Sequence, residues 1–224
     1  MLALLLTLAH ADVPLPDYTN EVVVAAWFDL DRRISDACTW PDAGPDAGLP
    51  PLSCSETRLD AAIAHGERFL TQVRDDGRIR YLMALAHRHA GRLEDAEAEL
   101  VRAVGVTPDR TEAWRELGDL RTLRGDHAAA AEALAKVTDL EPTNWVAWFQ
   151  RAQTAGHLGD AASFEAHLLK ALEHGFTFRL IEGNPAWRAF LKDPALGRIL
   201  ERLGSVYGDP SLLERLRQGD EQPP

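Results

Sequence analysis

The sequence predicts an all-α fold, an array of stacked helical hairpins with extra capping helices at both ends. Three observations predict it. One 34-residue pattern is written three times between Gly77 and Phe178, and a fixed period of this size marks a repeat array. Within a copy, apolar residues recur at helical spacing. Trp114, Leu117 and Leu120 form one stripe, and Ala130, Leu134 and Val137 form another. Ala, Leu, Glu and Arg dominate, and little of the chain alternates as a strand would.

In register, the copies 77–110, 111–144 and 145–178 repeat their chemistry. Gly91, Gly125 and Gly159 coincide, as do Leu100, Leu134 and Leu168 and the small residues Ala84, Gly118 and Ala152. Ala96 falls on Ala130, Trp114 on Trp148, Pro108 on Pro142 and Ala103 on Ala171. The shared glycine ends the first helix of each hairpin, where a left-handed residue is needed. The small residues let the two helices approach. The proline closes the unit because it cannot continue a helix. Asp109 with Glu112 reads as a capping box opening the second copy. One hairpin cannot bury its own apolar face, so neighbours must stack.

The spacing of Trp114, Leu117-Gly118, Ala130 and Pro142 resembles the tetratricopeptide repeat (TPR), strongly in the second copy, well in the first and weakly in the third. The copies also depart from it. Arg80 stands where the others have Trp, and His87, Arg121 and Ala155 replace a large aromatic of the first helix. Phe164 replaces a small residue in the third copy, and Phe176 its closing proline. The resemblance implies a right-handed superhelical array whose first helices line a concave groove. Carried over to this chain, the groove presents Arg78, Tyr81, Leu85, Arg88 and His89 from the first copy, Glu112, Arg115, Asp119 and Thr122 from the second, and Val146, Phe149, Gln153 and His157 from the third. Some relatives clamp a C-terminal carboxylate with Lys and Asn. Tyr81 and Leu85 hold those places here, which disfavours that ligand. An extended or helical peptide with an apolar anchor fits better, with Tyr81 and Phe149 as the anchoring aromatics.

The flanks read in order. Met1–Ala11, MLALLLTLAHA, ends on an A-x-A pattern and reads as a secretory signal peptide without a basic start. It is too short to span a bilayer. Residues 12–76 then form an N-terminal cap. A helix is expected from Asn20 to about Ser35, with Val23, Trp27, Leu30 and Ile34 on one face. The Pro/Gly-dense stretch 40–51 is a loop, with too few oxygens and no EF-hand pattern for calcium. Cys38 and Cys54, the two cysteines of the chain, bracket this loop. In an exported protein they read as a disulfide contributing roughly 3 kcal/mol. Two buried thiols or a metal pair are the alternatives, and the metal is disfavoured because no His lies close in sequence. Ser53 with Glu56 reads as a capping box for a helix of about Cys54–Val73, the second helix of a degenerate leading repeat. At the other end, residues 179–218 hold short capping helices announced by Asn184-Pro185, Asp193-Pro194 and Asp209-Pro210. The stretch 172–203 resembles the tail that closes many bacterial TPR arrays. Residues 219–224 read as a disordered tail.

Composition excludes some functions. Hydrophobic residues make up 46% of the 224, enough for a core. The net charge of -11 argues against nucleic-acid binding, which needs a basic footprint. There is no G-x-S-x-G, H-E-x-x-H or P-loop, and the histidines do not form a local metal motif, so the chain reads as neither an enzyme nor a cofactor protein. What remains is a protein-interaction module, a scaffold or adaptor of the bacterial cell envelope with a protein or peptide partner. The alternative is a structural subunit that self-associates or joins a larger envelope complex.

Overall fold

The structure, a computed structural model, describes residues 20–39, 52–72, 75–181 and 184–208. The stretch 1–11 read as a signal peptide, the whole of the stretch 40–51, the helix expected at Asp209-Pro210 and the stretch 219–224 lie outside the described residues. The chain divides into two compact units, 1–113 and 114–224.

The first unit opens with α1 (Asn20–Ala37) and α2 (Glu56–Gln72). Val23, Leu30 and Ile34 are buried and Trp27 is half-buried, as the helical spacing requires. Between the helices, β1 (Cys38–Thr39) and β2 (Ser53–Cys54) pair antiparallel, with Cys38 opposite Cys54 and Thr39 opposite Ser53. A disulfide joins Cys38 to Cys54, whose Cα atoms are 4.0 Å apart. The ladder corrects one expectation. Ser53 is a strand residue and not a helix cap, and α2 starts only at Glu56, with Leu59 N–H donating to Ser55 O at 3.0 Å.

The hairpin α3 (Gly77–His89) and α4 (Leu93–Val106) follows. Asp76 caps α3, its carboxylate accepting from the N–H of Arg78 and Ile79, which satisfies two of the orphan donors of a helix start. Gly77 approaches α4 so closely that a Cβ would lie 2.8 Å from Ala103 O. One cluster joins Leu30, Leu59, Ala62, Ile79, Leu82 and Met83 across α1, α2 and α3. The N-terminal pair of helices is thus packed as a leading hairpin.

The second unit holds most of α5 (Thr111–Leu123), then α6 (His127–Leu140), α7 (Trp145–His157), α8 (Ala161–Glu173), a 3-10 turn (Phe178–Ile181), α9 (Pro185–Lys192) and α10 (Pro194–Tyr207). Gly91, Gly125 and Gly159 all have positive φ, 74°, 79° and 71°, at the turn inside their hairpins, so the shared glycine is a conformational requirement. Gly118 has a different reason. A Cβ there would sit 2.7 Å from Leu134 Cγ, so the small residue sets the approach of α5 and α6. The capping box expected at Asp109 is not formed. α5 starts at Thr111, and Ala113 N–H donates to Arg110 O at 3.2 Å, placing Arg110 at the helix entrance. Asp126, Asn144, Asp160, Asn184 and Asp193 do cap their helices through side-chain oxygens.

The third hairpin packs differently from the second. Phe164, at the position where the earlier copies have a small residue, is fully buried with Trp187 and Phe178 in a cluster spanning α7 to α10. Among the described residues, no helix is long and apolar enough to cross a membrane.

His167 on α8 is part of this packing, its ring centroid 5.6 Å from that of Trp148. Burial, helped by the Arg151 charge, lowers its pKa from 6.5 to about 4. The neutral imidazole is therefore the native form. Its contribution is present above pH 6.5 and is lost as pH falls toward the folded value. Discounted for partial exposure, the loss between pH 7 and 4.5 is about 1 kcal/mol. Denaturant titrations at those two pH values should show a smaller acid-induced loss in His167→Phe than in the parent.

Candidate functional site

The face expected to bind a ligand is carried by the first helix of each hairpin. On α3, Tyr81 and Leu85 are half-buried and pack on the α1–α2–α3 cluster. The guanidinium of Arg110 lies over the Tyr81 ring, 5.2 Å from its centroid, a cation–π contact. Arg78 bonds the Asp76 carboxylate at 2.9 Å, and this side-chain bond, with the negative charge beside it, raises the Arg78 pKa. Arg88 is exposed one turn further on, and Glu112 is exposed in the first turn of α5. The first unit thus offers one half-buried aromatic ring with one guanidinium over it. His89 turns elsewhere, its imidazole standing beside the Cys38–Cys54 disulfide. Sequence distance hid this neighbour, because the 34 residues between Cys54 and His89 hold α2 and most of α3.

In the second unit the face is more heavily engaged. Asp119 on α5 accepts a bond from the Gln150 side chain on α7. Thr122 turns its hydroxyl inward to Gly118 O at 2.9 Å. Arg115, Val146 and Gln153 are half-buried.

Phe149 and His157 are engaged within the chain. Phe149 stacks on Trp187 of α9, centroids 5.0 Å apart and planes 11° from parallel, and on Phe176 at 4.8 Å. His157 stacks on His127 at 4.4 Å and meets the edge of Phe190 at 5.0 Å. Gly156 between them is so close to α9 that a Cβ would lie 2.8 Å from Phe190 Cζ. Phe149 and the end of α7 therefore pack against the chain's own α9, while His157 stays exposed and Val146 and Gln153 are only half-buried. Phe149 thus has packing partners of its own on one side of its half-buried ring. The sequence signal was available in the apolar run Trp187, Phe190 and Leu191, but nothing in its spacing says which face it covers.

Hairpins with a left-handed glycine at the inner turn, a small residue at the helix crossing and apolar stripes on both helices define a helical repeat protein. The repeat is identifiable. Residues 56–104 and 81–144 match the tetratricopeptide repeat family model. The match starts at α2, in keeping with a leading hairpin, and stops before the third copy.

No curated protein is a significant match to the chain. Among solved structures, the chain is similar to a crystal structure of MamA protein, at 22% identity and TM-score 0.49, covering 52% of this chain and 63% of that one. It is similar to MamA MSR-1 at 16% identity and TM-score 0.54, covering 88% and 98%. It is similar to the nearly identical TPR-like repeats of a Podosopora anserina kinesin light chain at 13% identity and TM-score 0.51, covering 90% and 97%. At such identities the likeness to the last two shows the fold alone.

Proposed function

We propose that the chain is a scaffold or adaptor that takes a peptide or protein segment on the first-helix face of its repeats, in the bacterial cell envelope. The observation that carries the reading is the α3 face, where the half-buried Tyr81 ring lies under Arg110. An aromatic ring braced by a guanidinium is a ready anchor for an apolar side chain, and such anchors dominate binding energy. The ligand class is an extended or helical peptide with one apolar anchor. Export is supported by the apolar start with Ala9-His10-Ala11 and by the Cys38–Cys54 disulfide, since such bonds persist in oxidising compartments.

Affinity capture from an envelope extract, followed by titration of the captured partner, tests the reading. Tyr81→Ala should weaken binding about thirtyfold, the loss of a hot-spot side chain worth about 2 kcal/mol, while circular dichroism keeps the helical signal. Unchanged affinity in Tyr81→Ala, with loss on changing exposed C-terminal positions, would move the site off this face. Intact mass of protein from the native host should place the mature start at Asp12. A second reading, self-assembly through the C-terminal helices, is favoured by the exposure of Leu180, Val206 and Tyr207. Light scattering after size exclusion separates the two.

A further inference from the structure

We infer that the N-terminal hairpin is a redox-gated metal site: once its disulfide is reduced, Cys38, Cys54 and His89 together hold a thiophilic divalent ion of the zinc class. The sulfur atoms of the two cysteines and a ring nitrogen of His89 all lie within 4.8 Å of one another. Zn–S bonds of about 2.3 Å and Zn–N bonds of about 2.0–2.1 Å put tetrahedral ligand atoms roughly 3.4–3.8 Å apart. The triad is therefore within a side-chain rotation of a binding geometry.

The backbone keeps it there without the S–S bond. Cys38 and Cys54 are direct cross-strand partners, so their side chains leave the ribbon on the same face. Ser55 N–H donates to Ala37 O at 2.8 Å and continues the ladder. α1 ends at Ala37, just before Cys38, and α2 starts at Glu56, just after the second strand. Both helices are pinned in the cluster with α3. His89 is the last residue of α3, and a helix C-terminus carries partial negative charge that favours a cation. Both cysteines are half-buried and His89 is exposed, which gives the ion a path from solvent.

The chemistry balances. A dithiol reductant delivers two electrons and two protons to the disulfide and leaves as its own disulfide, giving two thiols. Metal binding then displaces both thiol protons. The two thiolates neutralise the dication, the imidazole donates a lone pair as a neutral ligand, and water takes the fourth position, as in open zinc sites. Each sulfur serves either the disulfide or the metal. The two states exclude one another, and the redox state of the compartment selects between them.

Cobalt(II) is the probe. The full chain, reduced with a phosphine under anaerobic conditions, should bind one equivalent with a thiolate-to-cobalt charge-transfer band and tetrahedral visible bands, which zinc then abolishes. The oxidised chain should show neither. His89→Ala should weaken cobalt binding by about tenfold or more, because one of three protein ligands is lost, and Cys38→Ser should remove the charge-transfer intensity of one thiolate. In the parent chain, zinc should slow alkylation of both cysteines, a measurement independent of any variant. The proposal is overturned if the reduced chain shows no charge-transfer band, if His89→Ala binds cobalt as tightly as the parent, or if zinc leaves the alkylation rate unchanged.

Discussion

Replacing Trp187 with alanine should cost the second unit about 3–5 kcal/mol, the range for a fully buried aromatic truncated to a methyl group. Trp187 has no exposed surface. It stacks on Phe149 and meets Phe190 edge-on at 5.5 Å and Phe164 at 5.6 Å. Aromatic pairs of this kind add about 0.5–1.5 kcal/mol each beyond their buried area. Phe149→Ala removes a ring that is only half-buried and should cost less, about 1–3 kcal/mol. Trp187→Phe keeps a ring in the stack and should recover much of the loss. Denaturant unfolding, with near-ultraviolet dichroism reporting the aromatic cluster, measures all three. A loss under 1 kcal/mol for Trp187→Ala would mean that α9 does not hold this face. The result also bears on function. A binding defect in Phe149→Ala would combine any lost ligand contact with the loss of α9 packing, whereas Tyr81→Ala on α3 leaves the α9 cluster untouched.

The array was legible because its signals are local and repeated. Gly91, Gly125 and Gly159 each demand the same positive φ, and Gly118 opposite Leu134 is the same crossing as Ala84 and Ala152. Errors arose where two local motifs competed. Ser53 could cap a helix, yet backbone pairing with Thr39 claimed it first. Asp109 could do the same for α5, yet the helix begins two residues later. The site was less legible because its neighbours are set by tertiary packing. Nothing near Cys54 announces His89, and nothing near Phe149 announces Trp187. Arg80 is an intermediate case. The register shows a charge in an apolar position, but the residue that answers it stands on the next helix.

That answer leads to a prediction about the repeat itself. Arg80 takes the place of Trp114 and Trp148, and its Nη1 donates to Glu99 Oε2 at 2.7 Å. Glu99 also accepts from Arg102 at 3.1 Å, and Arg80 has Asp75 as a second partner. One period on, the place of Glu99 is held by Ala133, and one further by His167. The two positions therefore read Arg/Glu, Trp/Ala and Trp/His in the three copies: where the first helix carries a charge, the second carries its opposite. Both side chains are largely out of solvent, 15% exposed for Arg80 and 11% for Glu99. Removing one partner strands the other, and breaking a buried pair costs about 3–5 kcal/mol. Glu99→Ala should sit near 2–3 kcal/mol, because Asp75 continues to face Arg80. Arg80→Trp alone leaves the Glu99 carboxylate against an indole and should cost a similar amount. The double variant Arg80→Trp/Glu99→Ala imports the pair of the second copy. It should be more stable than either single variant and come within about 1 kcal/mol of the parent, since an apolar pair can replace a buried ion pair at little net cost. A double-mutant cycle by denaturant unfolding measures this coupling. If the two losses simply add, the positions are independent and the first copy tolerates Arg80 for some reason other than Glu99.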